Sequence, residues 1–215
     1  MVPLYNEAPV IGQVIDEARR TFPNIVCVDD GSRDGSAEIA RAHGATVVQH
    51  PFNMGQGAAL QTGIEYVLRC TDGEYLVTFD ADGQHCVADA TAMVDAARAN
   101  DYAIVFGSRF LDNQTRVGLA KRAVLKTATI VTRWKTGLNL TDAHNGLRLL
   151  RRDAAEHVTL RQDGMAHATE IVDQLAQTGL AWTEMPVNIE YTDYSKAKGQ
   201  SLLNSVNILV DLVMR

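Results

Sequence analysis

The chain of 215 residues has few cysteines, few prolines and no excess of basic residues. Its three cysteines are dispersed and odd in number, which argues against a disulfide framework and against a Cys-x-x-Cys metal site. The formal net charge of −6 at pH 7 argues against general nucleic-acid binding, which depends on a basic surface. No Pro/Gly-rich linker, repeat or low-complexity run divides the sequence, so we expect one domain over residues 1–215.

Long hydrophobic runs are also missing. No apolar stretch approaches the roughly 20 residues that cross a bilayer, and no signal peptide opens the sequence. The hydrophobic content of 46% is nevertheless enough to bury a full core in a chain of this length. We therefore expect a cytoplasmic protein that is soluble or peripheral at the inner face of the cytoplasmic membrane.

The sequence does show a regular alternation of strand and helix patterns. In the first half, strand-like runs lie near 25–28, 46–49, 75–79 and 102–106, and helical patterns lie near 10–20, 36–43, 57–69 and 87–99. In the second half, helical patterns lie near 119–134, 166–177 and 201–214, and strand-like runs lie near 146–150 and 183–190. Such alternation predicts an α/β domain with a mainly parallel central sheet flanked by helices.

The start of the sequence leaves little room for a first strand. Only Met1 and Val2 precede Pro3, whereas a buried strand has roughly 5 or 6 residues. We therefore expect that the first strand is clipped and that native residues before Met1 complete it. Asn6 follows this strand and is predicted to cap the helix over 10–20.

Carboxylates follow two of the predicted strands. The apolar run at 76–79 ends on Asp80 and Asp82, which are separated by one residue, and the run at 24–28 ends on Asp29 and Asp30. An Asp-x-Asp pair can converge on Mg²⁺ or Mn²⁺, which in proteins often serve substrate phosphates. The other interpretation of such a pair is a solvated turn. Because ligands of open α/β sheets bind outside the carboxyl ends of the strands, both acidic ends can belong to one pocket.

Three motifs together resemble the family 2 glycosyltransferases: Val2-Pro3-Leu4-Tyr5-Asn6-Glu7, Val28-Asp29-Asp30-Gly31-Ser32 and Asp80-Ala81-Asp82-Gly83-Gln84-His85. Further matches are Asn53 to Leu60, Gly107-Ser108-Arg109-Phe110 and Asp142 to Arg148. Their order is similar to that of the polyprenyl-phosphate branch, which includes the dolichyl-phosphate mannose synthases. The resemblance implies a single GT-A (Rossmann-like) domain, with a nucleotide-sugar-binding half at 1–107 and an acceptor-side half at 108–215.

Donor chemistry and the resemblance together suggest the residues of the donor site. A departing nucleoside diphosphate needs a cation, so we expect Mg²⁺ or Mn²⁺ on Asp80 and Asp82, with Gln84 as a further metal-facing residue. Asp30 is a donor contact or a support for the Gly31–Ser36 turn, and Gly57 allows close approach to the donor or a turn before a helix. The predicted donor-binding residues are Pro3, Tyr5, Glu7, Asp29, Asp30, Gly57, Asp80, Ala81 and Asp82.

The acceptor side is predicted in the second half of the chain. Residues 109–135 contain seven basic residues and one acid, which suits an anionic acceptor or, for most of them, surface ion pairs. In the resembled branch, arginines at the positions of Arg109 and Arg122 hold the acceptor phosphate. Asp142 is the candidate for a catalytic base or an acceptor contact. Lys196 and Lys198, in a polar loop at 191–201 that resembles a lid, stand where the branch has an arginine and a lysine near the phosphates.

These expectations define one leading function and two alternatives. The leading prediction is an inverting, metal-dependent transfer of a sugar from GDP-mannose or a UDP-hexose to a polyprenyl phosphate at the membrane surface. The first alternative keeps the donor but uses a saccharide or other hydroxyl acceptor in cell-envelope polysaccharide synthesis. The second is a nucleotide-sugar-binding protein without catalysis. A zinc site at His167 and Glu170 is rejected, because no third ligand has suitable spacing.

Overall fold

The structure is a computed structural model, and it describes residues 1–112, 129, 133–134, 136–164, 166–190 and 194. In chain order, the elements are β1 (Val2–Leu4), α1 (Ile11–Arg19), β2 (Val26–Asp29), α2 (Ser36–Ala42), β3 (Thr46–Gln49), α3 (Gln56–Cys70), β4 (Tyr75–Thr78), α4 (Val87–Asn100), β5 (Ile104–Ser108), β6 (Arg148–Arg151), α5 (Arg152–Glu156), α6 (His167–Gln177) and β7 (Trp182–Pro186). The predicted helices over 119–134 and 201–214 lie outside the described residues, apart from positions 129, 133 and 134.

The strands form a parallel sheet of order β1-β2-β3 and a mixed sheet of order β4-β6-β5-β7. In the mixed sheet, β6 runs antiparallel to β4 and β5, while β7 is parallel to β5. Met1 joins the two sheets, because its amino group donates to the Val77 carbonyl (2.8 Å) and its carbonyl accepts from the Phe79 amide (3.0 Å). The predicted α/β fold with helices around a mainly parallel sheet is confirmed.

Helices cover both faces of the sheets because alternate strand residues point to opposite sides. On β5, Ile104 and Phe106 belong to a buried cluster that includes residues of α3, α5 and α6. Val105, between them, belongs to a second cluster that includes residues of α1 and α4. On β6, Leu150 belongs to the first cluster and Leu149 to the second. Because both faces of these strands are buried, their sequences are continuous apolar runs.

Two local predictions differ from the structure. Helix α1 begins at Ile11, and Asn6 does not cap it. Asn6 instead has a positive φ of 53° and accepts a hydrogen bond from the Arg33 amide through its side chain (2.9 Å). The strand predicted over 183–190 ends at Pro186, and only Ile189 continues it, as an isolated bridge to His85.

Strand direction places the polar segments at one edge. The chain at Met1 bonds to β4 in the parallel pattern, so β1, β2 and β4 end on the same side. The segments that follow these strands carry Glu7, Asp30 and Asp82. In the part of the chain that the structure describes, no helix has the length and apolar character needed to span a membrane.

Leu149 offers a test of the core assignment. It is fully buried on β6, and its replacement by alanine leaves a cavity between the strand and the helices that cover it. We expect Leu149→Ala to lower the free energy of unfolding by about 2–5 kcal/mol, measured by urea denaturation. Leu111, which is 42% exposed, provides the matched control, since Leu111→Ala should change stability by no more than about 0.5 kcal/mol. Equal losses in the two variants would contradict this core.

Candidate active site

The turn after β4 carries the two carboxylates that the sequence assigns to metal binding. Asp80 accepts a hydrogen bond at Oδ2 from Nε2 of His85 (2.9 Å), and His85 is itself held edge-on against Phe79, with ring centroids 5.4 Å apart. Burial raises the pKa of Asp80, but the charges of His85 and Arg148 outweigh it and keep that pKa below its usual value. Asp80 is therefore an oriented and ionised carboxylate.

Asp82 has the opposite electrostatic character. Burial and the nearby charge of Asp80 raise the pKa of Asp82 to about 6. Its Oδ1 accepts from the backbone amide of Gln84 (3.1 Å), which places Gln84 in the same turn. Two carboxylates that repel each other in one site are stabilised by a divalent cation, so the residues present fit Mg²⁺ or Mn²⁺.

The described residues contain no group of three or more His, Cys, Asp or Glu side chains arranged to hold a metal. This composition agrees with the way Mg²⁺ is commonly bound, through one or two carboxylates together with substrate phosphates and water. The site therefore suits a cation that arrives with a phosphorylated ligand rather than one enclosed by protein.

Opposite the carboxylate turn lies the segment after β1. Pro3 is half-buried within β1, Tyr5 is 45% exposed, and Glu7 is buried. The hydroxyl of Tyr194 donates to Oε2 of Glu7 (2.7 Å), so a residue of the predicted lid segment meets the predicted donor wall. The charge of Glu7 also contributes to the raised pKa of Asp82, after burial and the charge of Asp80.

Asp29 and Asp30 are both buried at the end of β2. The Asp29 carboxylate accepts from the Ser32 amide (3.3 Å) and from Nε2 of Gln49 (3.2 Å). It lies at the end of β2, at the edge where the donor is expected.

The Asp30 carboxylate supports the loop after β3. It accepts from the amides of Met54 and Gly55, both at 2.8 Å, and it contacts Nδ1 of His50 at 2.7 Å. The predicted support of the Gly31–Ser36 turn by Asp30 is thus wrong. Asp29 and Asp34 support that turn instead: Asp29 accepts from the Ser32 amide, and Asp34 accepts from the amide (3.0 Å) and hydroxyl (2.5 Å) of Ser36.

Gly57 and Gly55 are required by packing within the chain. The Gly57 amide donates to the Asp163 carbonyl (2.8 Å), and a Cβ at Gly57 would collide with the Gln162 carbonyl oxygen. Gly55 has a φ of +101°, and a Cβ there would collide with the Asp163 carbonyl. The close approach that the sequence predicts at Gly57 is therefore made to the loop at 162–163.

Arg109 and Asp142 form a buried ion pair on the acceptor side. Nε and Nη2 of Arg109 donate to the two carboxylate oxygens of Asp142 at 2.5 and 2.7 Å, and the Arg109 amide adds a third bond at 3.2 Å. Burial raises the pKa of Asp142, but Arg109 outweighs it and holds that pKa below its usual value. This geometry favours Asp142 as the group that orients Arg109 over Asp142 as a catalytic base.

Arg148 is a site residue that the sequence analysis quoted only as part of a motif. It opens β6, is 2% exposed, and donates through Nη2 to the Ala143 carbonyl (3.3 Å). Burial lowers the pKa of Arg148 to about 10, against the opposing effects of Asp80 and Asp142. Its positive charge thus acts on both Asp80 and Asp142. The sequence feature that could have identified Arg148 is its position inside the otherwise apolar run at 147–150.

Three predicted acceptor residues, Arg122, Lys196 and Lys198, lie outside the described residues. His167 and Glu170, rejected above as a zinc pair, both bind the backbone of the loop at 161–164. Nδ1 of His167 contacts the Gly164 carbonyl at 2.7 Å, and the Glu170 carboxylate accepts from the amides at 161 and 162.

Comparisons with known proteins agree with this geometry. A family model described as glycosyl transferase family 2 matches residues 1–159. An uncharacterised protein of Methanocaldococcus jannaschii is 33% identical over 220 residues, which cover 100% of this chain and 90% of that protein. The UDP-N-acetylglucosamine–dolichyl-phosphate N-acetylglucosaminyltransferase of Methanococcus voltae is 26% identical over 236 residues, with coverages of 100% and 94%. The polyprenol monophosphomannose synthase of Mycolicibacterium smegmatis is 29% identical over 215 residues, with coverages of 92% and 79%.

Among solved structures, one similar fold is the glucosyl-3-phosphoglycerate synthase of Mycobacterium tuberculosis in complex with Mn²⁺, UDP-glucose and phosphoglyceric acid. The TM-score is 0.67 at 19% identity, and the match covers 98% of this chain and 77% of that chain. At this identity the likeness concerns the fold, and it confirms the predicted GT-A architecture.

The buried histidines predict a pH dependence of stability. Burial lowers the pKa of His167 to about 4, whereas an unfolded histidine titrates near 6.5. Between these values the unfolded state binds more protons, so the contribution of His167 is complete above about pH 6.5 and falls as the pH drops toward 4. We expect about 2–3 kcal/mol of stability to be lost through this group between pH 7.5 and 4.5.

His167→Asn isolates this effect, because the asparagine amide can still donate to the Gly164 carbonyl but does not titrate. The difference in unfolding free energy between wild type and variant, measured by urea denaturation, should shrink as the pH falls. A difference that stays constant from pH 7.5 to 4.5 would show that His167 is not held neutral by burial.

Proposed function

The chain belongs to glycosyl transferase family 2, and from this premise we propose that it is an inverting, metal-dependent hexosyltransferase that uses a polyprenyl phosphate acceptor. The donor is a nucleoside diphosphate sugar. The observation that carries the proposal is the pairing of a repelling carboxylate turn, Asp80 and Asp82, with an acceptor-side arginine fixed by Asp142.

On the donor side, Asp80 and Asp82 would hold Mg²⁺ or Mn²⁺, with Gln84 as a further candidate in the same turn. The cation would supply charge neutralisation for the departing nucleoside diphosphate. His85 keeps the Asp80 carboxylate aimed, and Glu7 with Pro3 and Tyr5 would form the wall for base and ribose. That the mycobacterial synthase of similar fold was solved with Mn²⁺ and UDP-glucose supports the proposal of a divalent cation together with a nucleotide sugar.

On the acceptor side, Arg109 would bind the acceptor phosphate. A phosphate monoester is already ionised near neutral pH, so the reaction needs no strong base. This requirement agrees with the state of Asp142, whose carboxylate is occupied by Arg109 and has a lowered pKa. A hydroxyl acceptor would need a base to remove its proton. Asp142 would be a poor base, because both of its carboxylate oxygens accept hydrogen bonds from Arg109. Arg122, Lys196 and Lys198 remain proposed acceptor contacts on the basis of the motifs.

This assignment divides the domain into a donor half at 1–107 and an acceptor half at 108–215. The acceptor is a lipid, so the enzyme would work at a membrane surface. The relatives are named for different sugars, N-acetylglucosamine and mannose. We therefore define the donor by class, as a UDP- or GDP-hexose, and a thermal-shift panel of both types with Mn²⁺ would identify it.

Asp82→Asn tests the metal clamp. Removal of one ligand charge should weaken Mn²⁺-dependent binding of the preferred nucleotide sugar by at least the roughly 10- to 100-fold that loss of an outer-shell partner costs. Calorimetric titrations with and without Mn²⁺ provide the measurement. Asp95→Asn is the matched control, because Asp95 is exposed on α4. Wild-type affinity that does not depend on Mn²⁺, or an unchanged affinity in Asp82→Asn, would refute metal binding by this turn.

Gly146→Ala tests the geometry around Asp80. A Cβ at position 146 would collide with the Asp80 carboxylate oxygens, so the side chain must turn away from its present position. We expect a loss of nucleotide-sugar affinity of about tenfold or more in the presence of Mn²⁺. Gly164→Ala is the control, because a Cβ there meets nothing within 4 Å. If both variants bind the donor like wild type, Asp80 is not a ligand in this orientation.

A further inference from the structure

A glutamate on β7 holds the start of the loop that carries Asp142. Oε1 of Glu184 accepts from the backbone amides of Thr141 (2.8 Å) and Asp142 (3.2 Å), and Oε2 lies 2.9 Å from the same Thr141 amide. The Thr141 hydroxyl also donates to Oε1 (3.2 Å). One carboxylate therefore fixes two consecutive peptide groups and one side chain.

The same cluster reaches the end of β5. The hydroxyls of Ser108 and Thr141 are 2.6 Å apart, and Thr141 donates to Glu184, so the Ser108 hydroxyl donates to Thr141. The resulting chain runs from Ser108 through Thr141 to the carboxylate, and hydrogen bonds in such a chain strengthen one another. Arg109 is the next residue after Ser108. The cluster thus fixes the backbone on both sides of the Arg109–Asp142 ion pair.

Glu184 is placed for this task by strand register. It lies opposite Phe106 in the parallel β5–β7 pair, two residues before the Ser108–Pro186 pair at the strand end. In the described part of the chain, its charge is balanced by amide and hydroxyl donors, and no ion pair to Glu184 is formed. Burial raises the pKa of Glu184. Burying a carboxylate without a paired cation is energetically unfavourable. A glutamate at this position is therefore explained better by the backbone that it fixes than by its effect on stability.

The other end of the loop has a separate anchor. The Thr78 hydroxyl of β4 donates to the Gly146 carbonyl (2.6 Å) and accepts from the Arg148 amide (3.1 Å). The loop from 141 to 147 is therefore attached to β7 at its Asp142 end and to β4 at its Gly146 end, next to Asp80. A change at Glu184 should displace the acceptor end while the donor end stays in place.

We propose that Glu184 is a positioning residue for the acceptor: by fixing the backbone at 141–142, it sets Asp142 against Arg109 and so sets the direction of the guanidinium toward an acceptor phosphate. This inference rests on the proposed function for the identity of the acceptor. The coupling between Glu184 and the ion pair is inferred from the hydrogen bonds alone, and it would hold for any substrate.

The kinetic test compares Glu184→Leu with Glu184→Gln. Leucine removes every acceptor atom at nearly constant size, whereas the glutamine carbonyl can still accept from the Thr141 amide. With Mn²⁺ and a short-chain polyprenyl phosphate, Glu184→Leu should raise the acceptor KM about tenfold or more, since loss of a buried hydrogen-bond partner has effects of this size. Glu184→Gln should recover most of the loss, and donor Kd should stay within about twofold of wild type in both variants.

Glu170→Leu is the matched control. Glu170 also accepts from two consecutive amides, those of Arg161 (3.0 Å) and Gln162 (2.9 Å), but it holds a different loop. The control should lose stability without raising the acceptor KM. If Glu170→Leu raises the acceptor KM as much as Glu184→Leu, or if Glu184→Leu weakens donor binding as strongly as it raises the acceptor KM, the positioning role is refuted.

A double-mutant cycle separates this inference from the proposed function. Urea unfolding of Glu184→Leu, Arg109→Met and the double variant measures whether Glu184 and the ion pair are coupled, without any substrate. Non-additive changes in stability support positioning, and additive changes overturn it. If the cycle shows clear coupling but the wild-type enzyme does not turn over polyprenyl phosphate, the positioning role of Glu184 is retained and the proposed acceptor is rejected.

Discussion

The site depends on strands that run in one direction and end at one edge. Because β1 pairs in parallel with β2, and Met1 bonds to β4 in the parallel pattern, the segments that follow these strands meet in space. The carboxyl end of β5 adds Arg109, and β6 returns between β4 and β5 with the opposite direction. This reversal carries Asp142, Gly146 and Arg148 back to the same edge. A wholly parallel sheet would have taken that loop to the far side.

Acidic and basic side chains lie on different sides of this edge, with a buried arginine between them. The proposed donor side presents Asp80, Asp82 and Glu7, and burial together with the charges of Asp80 and Glu7 raises the pKa of Asp82. The acceptor side presents Arg109, already neutralised in part by Asp142. Arg148 is buried between them and affects both Asp80 and Asp142. Under the proposed function, a diphosphate with its cation would meet the carboxylates, and a monophosphate would meet the arginine side, so the two substrates would be distinguished by charge.

The sequence alone predicted the features that depend on local pattern. Alternating apolar runs predicted the α/β fold, and the spacing of Asp80 and Asp82 after a strand predicted that both carboxylates lie together at the strand end. Features that depend on distant partners were not accessible. Asp30 binds amides about 25 residues away, and Gly57 packs on a loop more than 100 residues later. Neither partner leaves a local signal in the sequence, so these packing roles could not be predicted, whereas the donor contacts of Asp30 and Gly57 stay predictions.

The Arg109–Asp142 pair bears on acceptor chemistry. A buried ion pair recovers little stability, because both charges leave water, so its benefit lies in the geometry that it fixes. A guanidinium held on one edge by a bidentate carboxylate has a defined plane, and a defined plane suits the paired oxygens of a phosphate. An alcohol acceptor would instead require a carboxylate available to take a proton. Asp142 is already occupied by two N–H groups of Arg109, so this geometry favours an acceptor that brings its own negative charge.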